Sequence, residues 1–244
     1  MRISRIYTPS PLNEGSTIAL HDNAAHYVSR VLRLPVGAVL RLFNGEGGEF
    51  TAQIAAISKR EVNVYIEQYH AVDIGSALFI HLGQVISRGE RMDITIQKAT
   101  ELGVSAITPL LSDYCNVKLE PTRLEKKMQH WQSIIISACE QSGRTQLPVL
   151  YPPVPLNTWL SSVEARCRLI LEPSAEDSLK NIGYCKEMDF ALLIGGEGGL
   201  SDAELALVAR YEFIGIKLGS RILRTETAAL AAISALQVLF GDFC

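Results

Sequence analysis

The rhythm of apolar and polar residues changes near residue 76. Before that point the apolar runs are short and alternate. In "EVNVYIEQY" (61–69), Val62, Val64 and Ile66 take every second place, the period of a strand with one buried face. "RLFNGEGGEFTAQIAAI" sets two apolar runs around a glycine-rich turn at 44–48, which predicts a hairpin. "DNAAHYVSRVLR" (22–33) can start on an Asp22 cap and place Ala24, Val28, Val31 and Leu32 on one helical face. Leu34-Pro35 then ends the helix. The first seventy residues thus predict a compact, barrel-like β domain with one helix, bounded near Ala71–Ser76.

From residue 76 onward, continuous apolar runs alternate with helical patterns. "ALFIHLGQVI" (77–86), "VSAITPLL" (104–111), "CRLILE" (167–172), "FALLIG" (190–195) and "EFIGIKLG" (212–219) read as strands. A helix fits "RMDITIQKATELG", stopped by Gly103. A second spans Thr122–Cys139, with Leu124, Met128, Trp131, Ile135 and Ala138 at helical spacing. Two more begin at Ser201 and at about Thr225, the last running to Phe240. Strands alternating with helices predict an α/β domain, its mainly parallel sheet covered on both faces.

Composition narrows the class of molecule. The chain has 244 residues, 48% hydrophobic and 20% charged, ordinary for a globular protein with a sizeable core. Its longest apolar runs, such as "SIIISA" (133–138), are far short of a bilayer span, so no membrane role is expected. The start carries no apolar signal segment, and the cytoplasm is the expected location. Five scattered cysteines form no CxxC pair and the five histidines show no metal spacing, so neither a disulfide framework nor a metal is expected. Net charge is −3, with no global bias toward nucleic acid. Residues 1–41 nevertheless hold Arg2, Arg5, Arg30, Arg33 and Arg41 against Glu14 and Asp22, a local balance of +3 that could meet a phosphate backbone.

Two glycine turns carry the chemistry. "LIGGEGGLSDAE" ends a strand and enters a helix through Ser201 and Glu204, a capping box. Gly195, Gly196, Gly198 and Gly199 are misspaced for a dinucleotide fingerprint, and no Lys-Ser/Thr follows them as in a P-loop. Glu197 at the turn's centre would repel a polyphosphate. A phosphate-free ligand, even a cationic one, suits the turn better. In the second turn, "KLGSRILRTETAAL" (217–230), Gly219 closes a strand, and Arg221 and Arg224 precede a helix with Thr225 as its expected cap. Cations there are unfavourable unless an anion lies near, and Glu197, Glu226 or a substrate phosphate could serve.

These two stretches resemble the ribosomal RNA small-subunit methyltransferase E family, uracil-N3 methyltransferases of the SPOUT superfamily. The resemblance extends through "SRGERMDITIQKATELGVSAITPLLSD" (87–113), "CEQSGRTQLP" (139–148), "RIYTP", "VSRVLRLPVG" and "RLFNGEGGEF", nearly the whole chain. It implies a PUA-like RNA-binding β-barrel at 1–72. A SPOUT domain at 73–244 would follow, its C-terminus threaded into a deep trefoil knot. The implied cofactor is S-adenosyl-L-methionine, which has no phosphate and bears a cationic sulfonium; the implied partners are ribosomal RNA, free or in an assembled particle, and a second copy of the chain. The family turn usually reads Gly-Pro-Glu-Gly-Gly, and here Gly196 replaces the proline; Ser220 stands where proline is common in the later turn.

Carried onto this chain, the resemblance implies cofactor contacts at Leu171, Glu172, Ile194, Gly195, Gly196, Glu197, Gly198, Gly199, Leu218, Gly219, Arg221, Ile222 and Leu223. Candidates for catalysis are Arg224 and Glu197, with Glu140 and Arg144 from the polar cluster "EQSGR" that interrupts an apolar helix. Arg2, Arg5, Arg30, Arg33, Arg88 and Arg91 are the candidate RNA contacts. Lys98 and Glu101, three residues apart, are expected to pair. Two other activities fit the same residues: methylation of a ribose 2′-hydroxyl by a related SPOUT enzyme, and RNA binding without catalysis.

Overall fold

The structure is a computed structural model that describes residues 3–72, 74–115, 121–179 and 189–243. Its contacts divide into two compact units, Met1–Gly75 with Ile136–Leu147, and Ser76–Ile135 with Pro148–Cys244. The second span of the first unit is the end of a helix whose beginning lies in the second unit.

The first unit is a five-stranded sheet in the order β1-β3-β4-β5-β2, built from β1 (Ser4–Tyr7), β2 (Thr17–Leu20), β3 (Val39–Phe43), β4 (Glu49–Ile57) and β5 (Val62–His70). β1 runs parallel to β3, and the other pairs are antiparallel. The 44–48 turn joins β3 to β4 as the sequence predicts. Register shifts at Thr51/Ala52 and Ile54/Ala56 bend β4 across β5. Ile6, Leu20, Leu40, Leu42, Ile54, Val64 and Ile66 form the core, with Ala25 and Val28 packed on it from the helical segment.

That segment departs from the expected helix. α1 covers only Asp22–His26, and His21, not Asp22, stands at its N-cap without a side-chain cap. Tyr27–Val31 continues as a wider, π-wound turn, closed by the Leu32 amide on the Tyr27 carbonyl at 2.9 Å. The wider winding rotates the later residues out of phase. Val28 is buried as predicted, but Val31 is 57% exposed.

The second unit is a wholly parallel sheet in the order β12-β10-β11-β6-β7-β8, with β9 also on β7. Its strands are β6 (Phe79–Val85), β7 (Ala106–Leu111), β8 (Val149–Leu150), β9 (Val154–Pro155), β10 (Cys167–Leu171), β11 (Asp189–Ile194) and β12 (Ile214–Ile216). The helices are α2 (Arg91–Glu101), α3 (Pro121–Ser142), α4 (Leu156–Ser162), α5 (Asp202–Arg210) and α6 (Thr225–Phe240). Side chains alternate across the sheet. Ala191 and Leu193 of β11 face a cluster with Leu156, Trp159 and Leu160 of α4 and Val208 of α5. Phe190, on the opposite face, stacks on Phe240 of α6 with ring centroids 5.8 Å apart. At Gly83 of β6 a Cβ would stand 2.5 Å from the Trp159 ring, so only glycine lets the far edge of the indole come this close to the strand. Among the described residues no helix is long and apolar enough to cross a membrane.

Candidate functional site

A cleft opens where β10, β11 and β12 end, the edge at which open α/β sheets place ligands. Leu171 and Glu172 follow β10. Ile194, Gly195, Gly196, Glu197 and Gly199 come from the turn after β11, and Leu218, Gly219, Arg221, Ile222 and Leu223 from the segment after β12. The structure therefore brings twelve of the thirteen sequence-nominated cofactor residues to one cleft. Gly198 is absent from the lining; its Cβ position faces Tyr114 at 3.0 Å instead. Ile222 is 85% exposed, a large apolar side chain awaiting cover.

The turn geometry explains why glycine is needed. Gly199 has φ +71° and Gly219 φ +74°, where an L side chain is strained, and open space lies at both Cβ positions. The Gly199 amide donates to the Gly196 carbonyl at 3.1 Å, folding the first turn tightly. α5 then starts on the capping box read from the sequence: the Glu204 amide donates to the Ser201 hydroxyl, and the Ser201 amide to the Glu204 carboxylate.

Thr225 is not the expected cap of α6. Arg224 occupies the N-cap position, and the Thr225 hydroxyl donates to the Gly195 carbonyl at 2.6 Å. It also accepts from Gln84 Nε2 at 2.9 Å. The tertiary bonds outcompete the local cap because they satisfy buried groups: Gln84 has no exposure and Thr225 only 7%. Sequence reasoning missed Gln84, although a lone carboxamide inside the apolar run "IHLGQVI" was its visible signal.

The cation beside Glu197 comes from α2 and not from the second glycine turn. The Arg91 guanidinium donates to the Glu197 carboxylate at 2.7 Å and the Arg88 amide at 3.2 Å. Burial opposes ionisation of Glu197, but these donors outweigh it and hold the carboxyl below its ordinary range. Arg91 also lies 4.0 Å from Glu226. Arg88, Arg91, Arg224 and Glu226 line a shallow second pocket with Ile94, so Arg224 borders that pocket and not the cleft. Lys98 and Glu101 pair at 2.8 Å.

The remaining nominated residues lie in the first unit. The Glu140 carboxylate accepts from the Tyr7 amide at 3.0 Å. Burial raises its pKa, with that amide and Arg5 opposing. Arg144 is buried. Neither lines the cleft. Arg5 is held from several sides: it pairs with Glu49 at 3.0 Å, donates to the Cys139 and Arg144 carbonyls, and lies over Phe43. Arg41 also leans on Glu49, so two of the five arginines of residues 1–41 serve internal structure. Arg30 and Arg33 are exposed. Arg2 lies outside the described residues. Among those residues no group of three or more His, Cys, Asp or Glu could hold a metal ion.

Residues 75–237 match a family model described as an RNA methyltransferase domain, and residues 20–67 one described as an RNA methyltransferase PUA domain. A parallel α/β unit with this cleft, joined to a PUA domain, defines the class. The curated ribosomal RNA small subunit methyltransferase E of Buchnera aphidicola subsp. Schizaphis graminum is 41% identical over 99% of this chain and 98% of its own. The protein of the same name from Neisseria gonorrhoeae, solved bound to S-adenosyl methionine, is 38% identical, covers 100% of both chains and superposes with a TM-score of 0.93. A Legionella pneumophila chain solved with bound SAM is 43% identical, also over 100% of both chains, with a TM-score of 0.96. The chain belongs to the ribosomal RNA small subunit methyltransferase E family.

Proposed function

We propose that this protein uses S-adenosylmethionine to methylate small-subunit ribosomal RNA at N3 of a uridine, in the cytoplasm. The observation that carries the reading is the cleft itself: two positive-φ glycines opening on empty space, apolar walls, and an ionised Glu197 where a phosphate site would place a cation. That donor set fits the cofactor. Leu171, Ile194, Leu218, Ile222 and Leu223 would hold an adenine between apolar walls and backbone groups, and Glu197 would place negative charge at the turn. When bound, the cofactor supplies a methyl group activated by its sulfonium.

The protein's own residues would handle the acceptor. Uracil N3–H is a weak acid whose nitrogen becomes nucleophilic on losing its proton, and the resulting charge spreads to the flanking carbonyl oxygens. Arg224 offers a planar fork of donors to one of them, which lowers the barrier electrostatically. Arg91, held by Glu197 and facing Glu226, would keep the wall beside Arg224 in place. Residues 1–72 would supply RNA affinity and 73–244 the chemistry. We take the C-terminal crossing to be knotted, as the family resemblance implies; the Lys217 amide donates to the Asp177 carbonyl and the Thr225 hydroxyl to the Gly195 carbonyl, which hold the last segment beside those two strand ends. The exposed Val238 and Leu239 on α6 support a homodimer, which light scattering tests against the 26.8 kDa of one chain.

Nucleoside mass spectrometry of ribosomal RNA with and without the protein tests the reaction. N3-methyluridine should depend on the protein. A 2′-O-methyl product would replace the base reading with the ribose one, and no new methyl group would refute both.

A further inference from the structure

The first unit holds a pocket that the reaction above leaves unused. Ser4 and Arg5 come to it from β1, Tyr27 from the π-wound turn, and Ser137, Glu140 and Gln141 from the last turns of α3. Its volume is about 410 Å³. Against roughly 30 Å³ per molecule of liquid water, that is room for an organic group.

The wall chemistry selects the group. Two hydroxyls, a carboxamide and a carboxylate make one part of the wall polar, while Ile3 and the ring of Tyr27, 38% exposed, give it an apolar part. Arg5 is already paired: three of its five N–H groups go to Glu49 and two carbonyls, and its charge is shared between the carboxylates of Glu49 and Glu140. One Glu140 oxygen takes the Tyr7 amide, and the other has no hydrogen-bond partner among the described residues. A phosphate would be repelled here. A flat, neutral group with N–H donors on one edge would be welcomed. Just along the chain, Arg30 and Arg33 are exposed, and their side chains make no hydrogen bond or ion pair to another described residue. Local π-winding is also frequent at functional sites.

We propose that this pocket takes one unpaired RNA base, stacked on Tyr27 and read along an N–H edge by Glu140, with the flanking phosphates on Arg30 and Arg33. The proposal rests on RNA being the substrate. Single-stranded RNA is commonly bound this way, by aromatic platforms beside basic residues, and stacking differs from phosphate contact in one measurable respect: only the latter releases counterions.

The test is anisotropy of labelled single-stranded RNA oligomers of uniform base composition, titrated with the full chain over a range of salt. Tyr27→Ala should weaken binding about tenfold or more, the scale of one stacked base, without changing the salt slope. Tyr27→Phe should restore affinity. Arg30→Ala and Arg33→Ala should each flatten the slope by about 0.7, one single-strand phosphate contact. Glu140→Gln should leave the slope alone and reduce the preference among bases. Thermal unfolding checks that each variant is folded. Wild-type affinity in Tyr27→Ala, or a loss accompanied by a flatter slope, overturns the proposal. If the wild-type chain binds RNA with this signature yet transfers no methyl group, the proposed reaction fails and the pocket stands.

Discussion

Replacing Thr225 by valine keeps the side chain's shape and removes one hydroxyl. The Gly195 carbonyl then loses its 2.6 Å donor, and Gln84 Nε2 loses its 2.9 Å acceptor while keeping the Val85 carbonyl at 3.0 Å. Gln84 is fully buried, and its Oε1 has no partner among the described residues, so water has little chance of repairing the loss. A stranded buried polar group costs about 1–3 kcal/mol. We take about 2 kcal/mol for the pair, which lowers the melting temperature by roughly 4–8 °C for a chain of this size. Gly195 begins the turn that lines the cleft, so part of the cost should reappear in binding. Titration calorimetry should show S-adenosylmethionine affinity reduced about tenfold, equal to about 1.4 kcal/mol. Thr225→Ser keeps the hydroxyl and should recover most of both. Unchanged affinity and melting temperature in Thr225→Val would refute the idea that this hydroxyl ties the cofactor turn to α6.

Arg224→Lys should bind cofactor and RNA almost normally but transfer methyl about a hundredfold more slowly in a single turnover, as for a lost oxyanion donor. Partial recovery at high pH is expected, and a wild-type rate removes Arg224 from the chemistry. Burial pushes the His81 imidazole down from 6.5 to about 4. The unfolded chain therefore takes up a proton between those values that the folded chain refuses. The contribution of neutral His81 is intact above pH 6.5 and is lost as pH falls toward 4, by up to about 3 kcal/mol. Denaturant titrations should show this decline, and His81→Asn should flatten it; an identical pH slope in the variant sinks the assignment. Gly83→Ala should cost about 1–3 kcal/mol by driving a methyl group into Trp159, visible as a lower denaturant midpoint; an unchanged midpoint would mean that the indole moves aside freely.

Local signals in the sequence were legible wherever the structure obeys local rules. The β3–β4 hairpin, the Ser201–Glu204 capping box, the apolar stripe of α3 and the span of α6 follow from spacing alone. β1 and β2 were too short to show a period, and "LNTWLSS" of α4 too short to show a stripe. β12 keeps only Ile214–Ile216 of its predicted run, because the chain beyond turns into the cleft wall. The negative charge and open backbone of the cleft's first turn were visible in Glu197 and its glycines. The ion partner of Glu197 was not, since Arg91 lies 106 positions away and no local pattern links the two. Thr225 looked like a cap for the same reason: a cap is a local device, and the bonds that displaced it run to Gln84 and Gly195.

The interleaving of the two units sets a timetable for synthesis. A ribosome adds roughly 5–20 residues per second and releases the chain from its N-terminus. The strands β1 to β5 emerge together, but Arg5 must wait for the carbonyls of Cys139 and Arg144, and the Tyr7 amide for Glu140. During that interval, several seconds at those speeds, an incomplete sheet leaves the tunnel with β1 lacking its later partners, while β6, α2 and β7 are already being made. The first unit is therefore begun first and cannot be finished first. A chain stalled between residues 75 and 136 would present that unfinished edge to chaperones and proteases, although every strand of its sheet had already been translated.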